Sequence, residues 1–456
     1  MKRFLPFLLI LFGSRLSAQN SVEGTIRNLE IRNVYLMSLY GEKSTIIDSV
    51  TADSTGKVRF LFPSNRHQGM YRIQWSKEGQ TDLIWNHEDI RFITNSLYPG
   101  DSLTILTSLE NQIYYTFSRK DRNCQARLEL LMPVVDYYPV RDTFYRVATR
   151  ELDLIQRNQQ KSLDSLVRLY PDSYAVRLLR LYQSPFIPSS LTKDERLALL
   201  RQHYFDKVDF NDTILLNSPA FANKTISYLS LYSNNRLTQK QLEAEFIKAV
   251  TVLLSAASVN AEVYKFLLDY VVGGFDKYHL DEVITYIADN FQDPYSCEDQ
   301  QRKTALQKKL ETFKKIAVGK IAPDMGIPDQ KGKIVTLSAV PAEYTLLVFW
   351  SSDCPHCTDL LPRLNTLYEN QKTKRFEVMA VSMDTSSVAW NNFIRTHKLR
   401  WVNVSELKGF AGKAADTYNI YATPTMLLLD REKKILSKPI SYRSLEQALR
   451  EVNLIP

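Results

Sequence analysis

Residues 344–357 read YTLLVFWSSDCPHC, an apolar run followed by two cysteines. A strand that is buried on both faces of a sheet has such a nearly continuous apolar run. Beyond the cysteines, Leu360, Leu364 and Leu367 recur at helical spacing. The stretch therefore predicts a central strand that leads directly into a helix, with Cys354 at the helix start.

The sequence on either side of this stretch alternates between strand and helix patterns. It predicts strands at 376–383, 401–404, 425–429 and 435–436, helices at about 387–397 and ending near Tyr418, and a closing helix from Ser444 with Gln447 as its capping-box partner. The segment 318–324, VGKIAPD, resets the pattern, so the boundary of this region is placed near Ile316. Such alternation is typical of an α/β domain.

This order of elements, with a CxxC motif at a helix start and Thr423-Pro424 before a strand, resembles the thioredoxin superfamily. It is most similar to the TlpA/ResA-like periplasmic thiol-disulfide oxidoreductases. The lead-in GKIAP at 319–323, the Phe349-Trp350 pair and Pro362 in the following helix add to the resemblance, which covers about residues 318–456. It implies a thioredoxin fold and an oxidoreductase without a cofactor or a metal.

The resemblance also implies which residues form the active site. The catalytic pair is Cys354 and Cys357, and the supporting residues are Pro355, His356, Thr423, Pro424 and Trp350. In this superfamily the bond before the proline at position 424 is cis, which is uncommon in proteins. The Thr423 backbone is then expected to face Cys354 and to pair with an extended substrate segment.

The chemistry of the motif follows from its position. Disulfide exchange needs a thiolate, and the unpaired N–H groups and positive dipole end of a helix N-terminus stabilise Cys354 as its anion. Cys357, one turn inward, is expected to resolve the mixed disulfide. His356 should lower the pKa of Cys354 and Asp353 should raise it, and we expect the lowering effects to dominate.

The direction of electron flow is left open. Cys-Pro-His-Cys is also the motif of the DsbA-type oxidases, whereas the TlpA/ResA-like scaffold usually belongs to reductases, a direction we slightly favour. Leu360 occupies the position where relatives often carry a Glu that helps to move the proton of the buried thiol. The neighbouring Asp359 should point along a different helix face.

Two further regions precede the α/β domain. Residues 22–117 alternate at period two, which predicts a sandwich-like antiparallel β domain over 19–118. Residues 119–316 have apolar spacing of helical period and predict an α-helical domain. The thioredoxin-like domain then occupies 317–456. The first two regions look like the accessory domains often fused to such proteins in Gram-negative envelopes.

The N-terminus has a basic start, an apolar run and a small-residue site over residues 1–18, as in a secretory signal peptide. We therefore expect export to the periplasm or envelope of a Gram-negative bacterium, with no integral membrane segment after signal removal.

The net charge of +8 comes from dispersed Lys and Arg, so a nucleic-acid partner is not expected.

Two cysteines lie outside the motif. Cys124 and Cys297 could form one structural disulfide or remain as two separate thiols.

A metal site at CxxC would need His397 and another ligand to converge, so it is disfavoured. The tryptophans Trp75, Trp85, Trp390 and Trp401 fit positions in the hydrophobic core.

The favoured function is electron exchange with protein disulfides, using an envelope electron donor or acceptor. A peroxiredoxin-like peroxidase is the second hypothesis, although Ser351 stands where those enzymes typically have Thr. The third is an envelope binding protein in which the redox domain is auxiliary.

Overall fold

The computed structural model describes residues 20–63, 65–291, 305–370 and 375–455. The predicted signal peptide and Cys297 lie outside the described residues. The chain forms two compact units: Met1–Leu231 with Ala256–Val263, and Tyr232–Ser255 with Tyr264–Pro456. The architecture is that of a multidomain protein, with a thioredoxin-like C-terminal domain and additional β and helical regions.

The first unit begins with eight strands. They are β1 (Asn20–Arg27), β2 (Asn33–Tyr40), β3 (Lys43–Thr51), β4 (Lys57–Phe62), β5 (Gly69–Gln74), β6 (Gln80–Trp85), β7 (Ile90–Asn95) and β8 (Thr104–Thr107). They form two four-stranded sheets in the orders β4-β1-β7-β8 and β3-β2-β5-β6. Alternate side chains of both sheets, including Phe60, Phe62 and Trp85, bury one common core. Period-two alternation in the sequence reflects this one-sided burial.

One pair of strands departs from the predicted antiparallel pattern. Strands β1 and β7 run parallel, whereas the other pairs in both sheets are antiparallel. The chain reaches β7 only after passing through the second sheet, so β7 is not a hairpin partner of β1. A prediction from local hairpin signals could not include this pairing.

The helices of the first unit are α1 (Leu109–Tyr137), α2 (Thr143–Leu169), α3 (Tyr174–Tyr182), α4 (Lys193–His203) and α5 (Ala220–Ser230). The N-termini of α1 to α4 are capped by side chains of the preferred types, such as Ser108 for α1 and Ser173 for α3, whereas Pro219 precedes α5 without a side-chain cap. The buried carboxylate of Glu110 also accepts hydrogen bonds from the Ser173 hydroxyl at 2.7 Å and from the Ala175 N–H at 2.7 Å. This joins the start of α1 to the start of α3.

Most of α6 (Gln239–Ala257) and α7 (Ala261–Lys277) belongs to the second unit, together with α8 (Asp281–Asn290) and α9 (Ala305–Lys315). The remaining elements are β9 (Gly326–Pro328), β10 (Ile334–Thr336), β11 (Tyr344–Trp350), α10 (Pro355–Glu369), β12 (Phe376–Ser382), α11 (Ser387–Thr396), β13 (Val402–Ser405), α12 (Lys413–Thr417), β14 (Thr425–Leu429), β15 (Ile435–Ser437) and α13 (Tyr442–Glu451).

Strand β11 is the centre of a five-stranded sheet with the order β13-β12-β11-β14-β15. It pairs in parallel with β12 and antiparallel with β14. Leu346, Val348 and Trp350 pack on one face against α10, α11 and α13. Leu347 and Phe349 pack on the other. The prediction of a strand buried on both faces, followed at once by a helix, is confirmed.

The predicted start of the closing helix is wrong by one turn. Helix α13 begins at Tyr442 with Ser441 as its N-cap, and Ser444 rather than Gln447 completes the capping box. Ser441 and Ser444 both satisfy the residue preference for a cap, and the side chain of Ser444 accepts the Ser441 N–H at 2.9 Å. Gln447 instead donates to Glu451 at 3.1 Å.

The four tryptophans assigned to the core are at most 5% exposed, which confirms that assignment. Among the helices of the described residues, none combines the length and the hydropathy that crossing a membrane requires.

Candidate active site

The loop before Cys354 is held by a buried carboxylate on the neighbouring strand. Strands β11 and β12 are parallel, so their carboxyl ends lie at the same edge of the sheet. There Asp384 accepts hydrogen bonds from the Ser352 N–H at 3.0 Å and the Ser352 hydroxyl at 2.7 Å. It also accepts from the hydroxyls of Ser382 at 2.7 Å and Ser351 at 3.3 Å. These contacts fix the two residues that lead into the cysteine motif.

Cys354 is the N-cap of α10. Its Sγ atom accepts the Cys357 N–H at 3.3 Å, and Pro355 occupies the first turn, where no N–H partner is needed. Cys354 is partly exposed, whereas Cys357 is fully buried. The structure therefore places one accessible and one enclosed thiol on the first turn of the helix, as the sequence predicted.

The two thiols differ in acidity. Burial by itself raises the pKa of Cys354, but hydrogen bonds to the side chains of Cys357 and Thr423 and to the N–H groups of Cys357 and His356 outweigh it and lower that pKa. Burial, reinforced by the hydrogen bond with Cys354, raises the pKa of Cys357 to about 12. At neutral pH the accessible sulfur is thus the one closer to ionisation.

The second wall of the site comes from the loop before β14. The Thr423–Pro424 peptide bond is cis, as the resemblance implied. The Cys354 Sγ atom lies 3.2 Å from the carbonyl oxygen of Thr423. The structure therefore brings the cysteines, Thr423 and Pro424 together at one end of the sheet.

The other residues predicted for the site differ in their burial and in their contacts. Trp350 is fully buried and packs against Phe393 with ring centroids 4.9 Å apart, so it supports the core behind the motif. The imidazole of His356 is exposed, and the contribution of this residue to the Cys354 pKa comes through its backbone N–H. Asp353 is also exposed and accepts a hydrogen bond from the Ser351 hydroxyl.

The position where relatives often carry a Glu holds an apolar side chain here, since Leu360 is buried in the core. The Asp359 side chain is 74% exposed and pairs with Arg363 at 3.5 Å, so it points away from the buried thiol. Within the described residues of α10, neither position therefore offers a carboxylate to the enclosed proton of Cys357.

Sequence reasoning missed Asp384. The sequence did contain a signal for this residue, because Ser382-Met383-Asp384 lies at the end of a buried strand parallel to the one that carries the motif.

Within the described ranges, no three His, Cys, Asp or Glu side chains are arranged to hold a metal ion. His397, the ligand considered for such a site, packs against Phe393 with ring centroids 4.3 Å apart and the rings tilted by 38°.

Comparison with known proteins agrees with this geometry. Residues 318–438 match the AhpC/TSA family, and residues 150–278 match a domain of unknown function, DUF5106. The chain is 32% identical over 133 residues to the thiol-disulfide oxidoreductase ResA of a Bacillus cereus strain, covering 29% of this chain and 75% of the relative. It belongs to the TlpA/ResA-like thiol-disulfide oxidoreductases of the thioredoxin superfamily.

This TlpA/ResA-like chain is also similar to two solved structures. A thiol-disulfide oxidoreductase from Bacteroides fragilis NCTC 9343 is 34% identical, covers 29% of this chain and 99% of its own, and has a TM-score of 0.27. A domain of a possible thiol-disulfide isomerase from Cytophaga hutchinsonii ATCC 33406 is 35% identical, covers 30% and 92%, and has a TM-score of 0.28.

Proposed function

We propose that this TlpA/ResA-like protein exchanges electrons with protein disulfides through Cys354 as nucleophile and Cys357 as resolving thiol. The observation that carries the proposal is the opposite shift of two thiol pKa values on one helical turn, lowered for Cys354 and raised for Cys357. A nucleophile must ionise near neutral pH, whereas a resolving thiol can stay protonated until the mixed disulfide has formed.

In the reductive direction, the Cys354 thiolate attacks one sulfur of the substrate disulfide. A new sulfur–sulfur bond forms, the substrate bond breaks, and its electron pair leaves on the second substrate sulfur, which takes up a proton. Cys357 then loses its proton and attacks Cys354 Sγ, which releases the first substrate sulfur as a thiolate. Two electrons pass to the substrate, and the pair ends as a disulfide. Oxidation of a substrate dithiol is the reverse sequence.

Thr423 and Pro424 are proposed to hold the substrate during this exchange. Because the Thr423 carbonyl lies beside the reactive sulfur, an extended substrate segment that pairs with it would bring its own sulfur toward Cys354. Pro355, His356 and Trp350 are proposed to support the motif, the first two at the helix start and the third from the core.

We propose that the partners are exported proteins with thiols or disulfides, together with an envelope electron donor or acceptor. The support for export is the signal-peptide pattern at residues 1–18. The periplasm of a Gram-negative bacterium is proposed because the first two regions look like accessory domains of such envelopes. The reduction potential of the Cys354/Cys357 pair, measured against glutathione, distinguishes the directions: a value as low as that of structural disulfides favours a reductase, and a markedly higher one an oxidase.

Turnover of insulin disulfides or of a scrambled protein tests the proposal. We expect Cys354→Ser to reduce the rate to that of the buffer alone. Cys124→Ser is the matched control, since Cys124 is a free thiol in the first unit and should be dispensable. Equal rates for wild type and Cys354→Ser would overturn the proposed function.

Peroxide reduction and partner binding remain competing predictions. Rapid consumption of hydrogen peroxide by the reduced protein, in stopped-flow measurements, would favour the peroxidase. We propose the regions 19–118, 119–316 and 317–456 as the division of the chain. Because residues 118 and 119 lie within α1, limited proteolysis tests the last boundary, and it should release an intact fragment that begins near residue 318.

A further inference from the structure

A small pocket lies beside Pro424, within the second unit. One side is formed by the loop around Tyr421, Ala422 and Pro424, and the other by Asp276, His279 and Asp281 from the helical region. Its volume is about 70 Å³. A single water needs roughly 10–15 Å³ on this measure, and small-molecule sites occupy roughly 300–1,000 Å³. The pocket is therefore the size of one amino-acid side chain.

A hydrogen bond across the pocket fixes its two walls to each other. The Tyr421 hydroxyl donates to the Asp276 carboxylate at 2.7 Å and approaches the Asp276 carbonyl oxygen at 3.1 Å. The second carboxylate oxygen of Asp276 pairs with Lys309 at 2.5 Å. Asp276 is 7% exposed, whereas Tyr421 is 51% exposed, so the connection is buried at its carboxylate end and open to water at its loop end.

The acidic side chains that line the pocket are already paired. Asp276 binds Lys309, and Asp281 binds Lys438 at 2.5 Å, with both side chains of the latter pair at most 20% exposed. A charged side chain entering the pocket would lose hydration and would have to compete with these pairs for a partner of opposite sign. An uncharged side chain has a smaller desolvation penalty and needs no partner of opposite charge.

The pocket is also close to the reacting sulfur. Pro424 lines it, and the preceding residue, Thr423, has its carbonyl oxygen 3.2 Å from Cys354 Sγ. An extended peptide advances about 3.3 Å per residue. A substrate strand that pairs with the Thr423 backbone would therefore carry side chains within a few residues of its attacked cysteine past Pro424 and the pocket.

We propose that this pocket receives one uncharged side chain of the polypeptide substrate, within about two residues of the cysteine attacked by Cys354. Helix α7 and the start of α8 would then contribute to substrate choice. The inference rests on the proposed function and deepens it, because it assigns to part of the helical region a task at the same site.

A set of peptides tests the proposal. Each contains one cysteine as its mixed disulfide with thionitrobenzoate, and one flanking position at a time is Asn, Lys or Glu. The thiolate of Cys354 in the reduced full-length protein attacks the peptide sulfur, and coloured thionitrobenzoate leaves with the electron pair. We expect one position at which the Asn peptide reacts about tenfold faster than the Lys and Glu peptides, a difference of about 1.4 kcal/mol. Equal rates at every position would overturn the pocket assignment.

Two variants should shift this selectivity in opposite directions. Lys438→Gln leaves Asp281 unpaired and should raise the Lys-to-Glu rate ratio about tenfold, whereas Asp281→Asn leaves Lys438 unpaired and should lower it by a similar factor. Lys314→Gln is the matched control, since Lys314 pairs with the exposed Asp289 and does not line the pocket. An unchanged ratio in both pocket variants would contradict the proposal.

The same assay distinguishes failure of the proposed function from failure of the pocket assignment. If Cys354→Ser releases thionitrobenzoate as fast as wild type, the proposed function fails. If Cys354→Ser is inactive while wild type reacts equally with all peptides, only the pocket assignment fails.

Discussion

The Cys354 Sγ atom and the Thr423 carbonyl oxygen lie 3.2 Å apart although the two residues are 69 positions apart in the chain. This contact joins the start of α10 to the loop before β14 and places a backbone acceptor beside the reactive sulfur. The Thr423 segment therefore contributes to the acidity of the thiol, and in the proposed function it also binds the substrate.

The pKa shifts predict how alkylation of the motif depends on pH. Iodoacetamide reacts with thiolates, so modification of Cys354 should reach half its maximal rate below pH 9.0, the ordinary value from which its pKa is lowered. In Cys354→Ser, Cys357 should stay protonated and nearly unreactive up to about pH 9, because burial, the larger cause of its raised pKa, is unaffected by the substitution. Peptide mass spectrometry at each pH measures both sites. A Cys354 midpoint above the ordinary value would contradict the assignment of the nucleophile.

Asp384→Ala should destabilise the protein and disturb the motif. The substitution removes the acceptor for the Ser352 N–H and for buried hydroxyls. Leaving such groups unpaired costs about 2–4 kcal/mol in the free energy of unfolding. Urea unfolding measures this cost, and the alkylation midpoint of Cys354 should move as well. Asp359→Ala, whose side chain is 74% exposed, is the control and should change stability by less than about 0.5 kcal/mol.

Glu243→Gln should stabilise the protein at alkaline pH. Burial, with the charges of Glu282 and Asp281, raises the pKa of Glu243 from 4.5 to about 7. Between these values the folded state holds a proton that the unfolded state has lost, so stability falls as the pH rises through this window.

The glutamine variant lacks this loss and should be more stable by about 1–2 kcal/mol above pH 7, with no gain below about pH 4.5. Thermal unfolding across this range measures the difference. The exposed Glu262→Gln is the control and should not alter the pH profile. Parallel profiles for wild type and Glu243→Gln would show that Glu243 ionises normally.

Glu110→Ala should destabilise the first unit. Its carboxylate accepts the Ser173 hydroxyl and the Ala175 N–H at the start of α3, so removal leaves buried donors without a partner. We expect a loss of about 2–4 kcal/mol in the urea transition of this unit. Glu151→Ala removes only an exposed pair with Arg127 and should have little effect. A similar midpoint for both variants would argue against the capping role of Glu110.

Local signals in the sequence were enough to predict strand β11, the start of α10 and the position of the paired cysteines. Burial on both faces and helical spacing can be recognised within short stretches of sequence. The cis bond before Pro424 was predicted by resemblance alone. The start of α13 was misplaced because two serines three positions apart meet the same capping preference.

Contacts between segments that are distant in the chain could not be predicted from local sequence patterns. Asp384 reaches Ser352 across 32 positions, and Tyr421 reaches Asp276 across 145. Each of these side chains is polar and unremarkable in its own segment, and only the packing of the elements gives it a partner. The parallel pairing of β1 with β7 escaped prediction for the same reason.

The hydrogen bond between Tyr421 and Asp276 has an evolutionary consequence. A replacement at position 276 removes a partner of the loop beside the reactive cysteine while the CPHC motif stays intact. Where the pocket selects substrates as proposed, paralogues with identical cysteine motifs would diverge in the proteins they serve through paired substitutions in two segments that are remote in the gene.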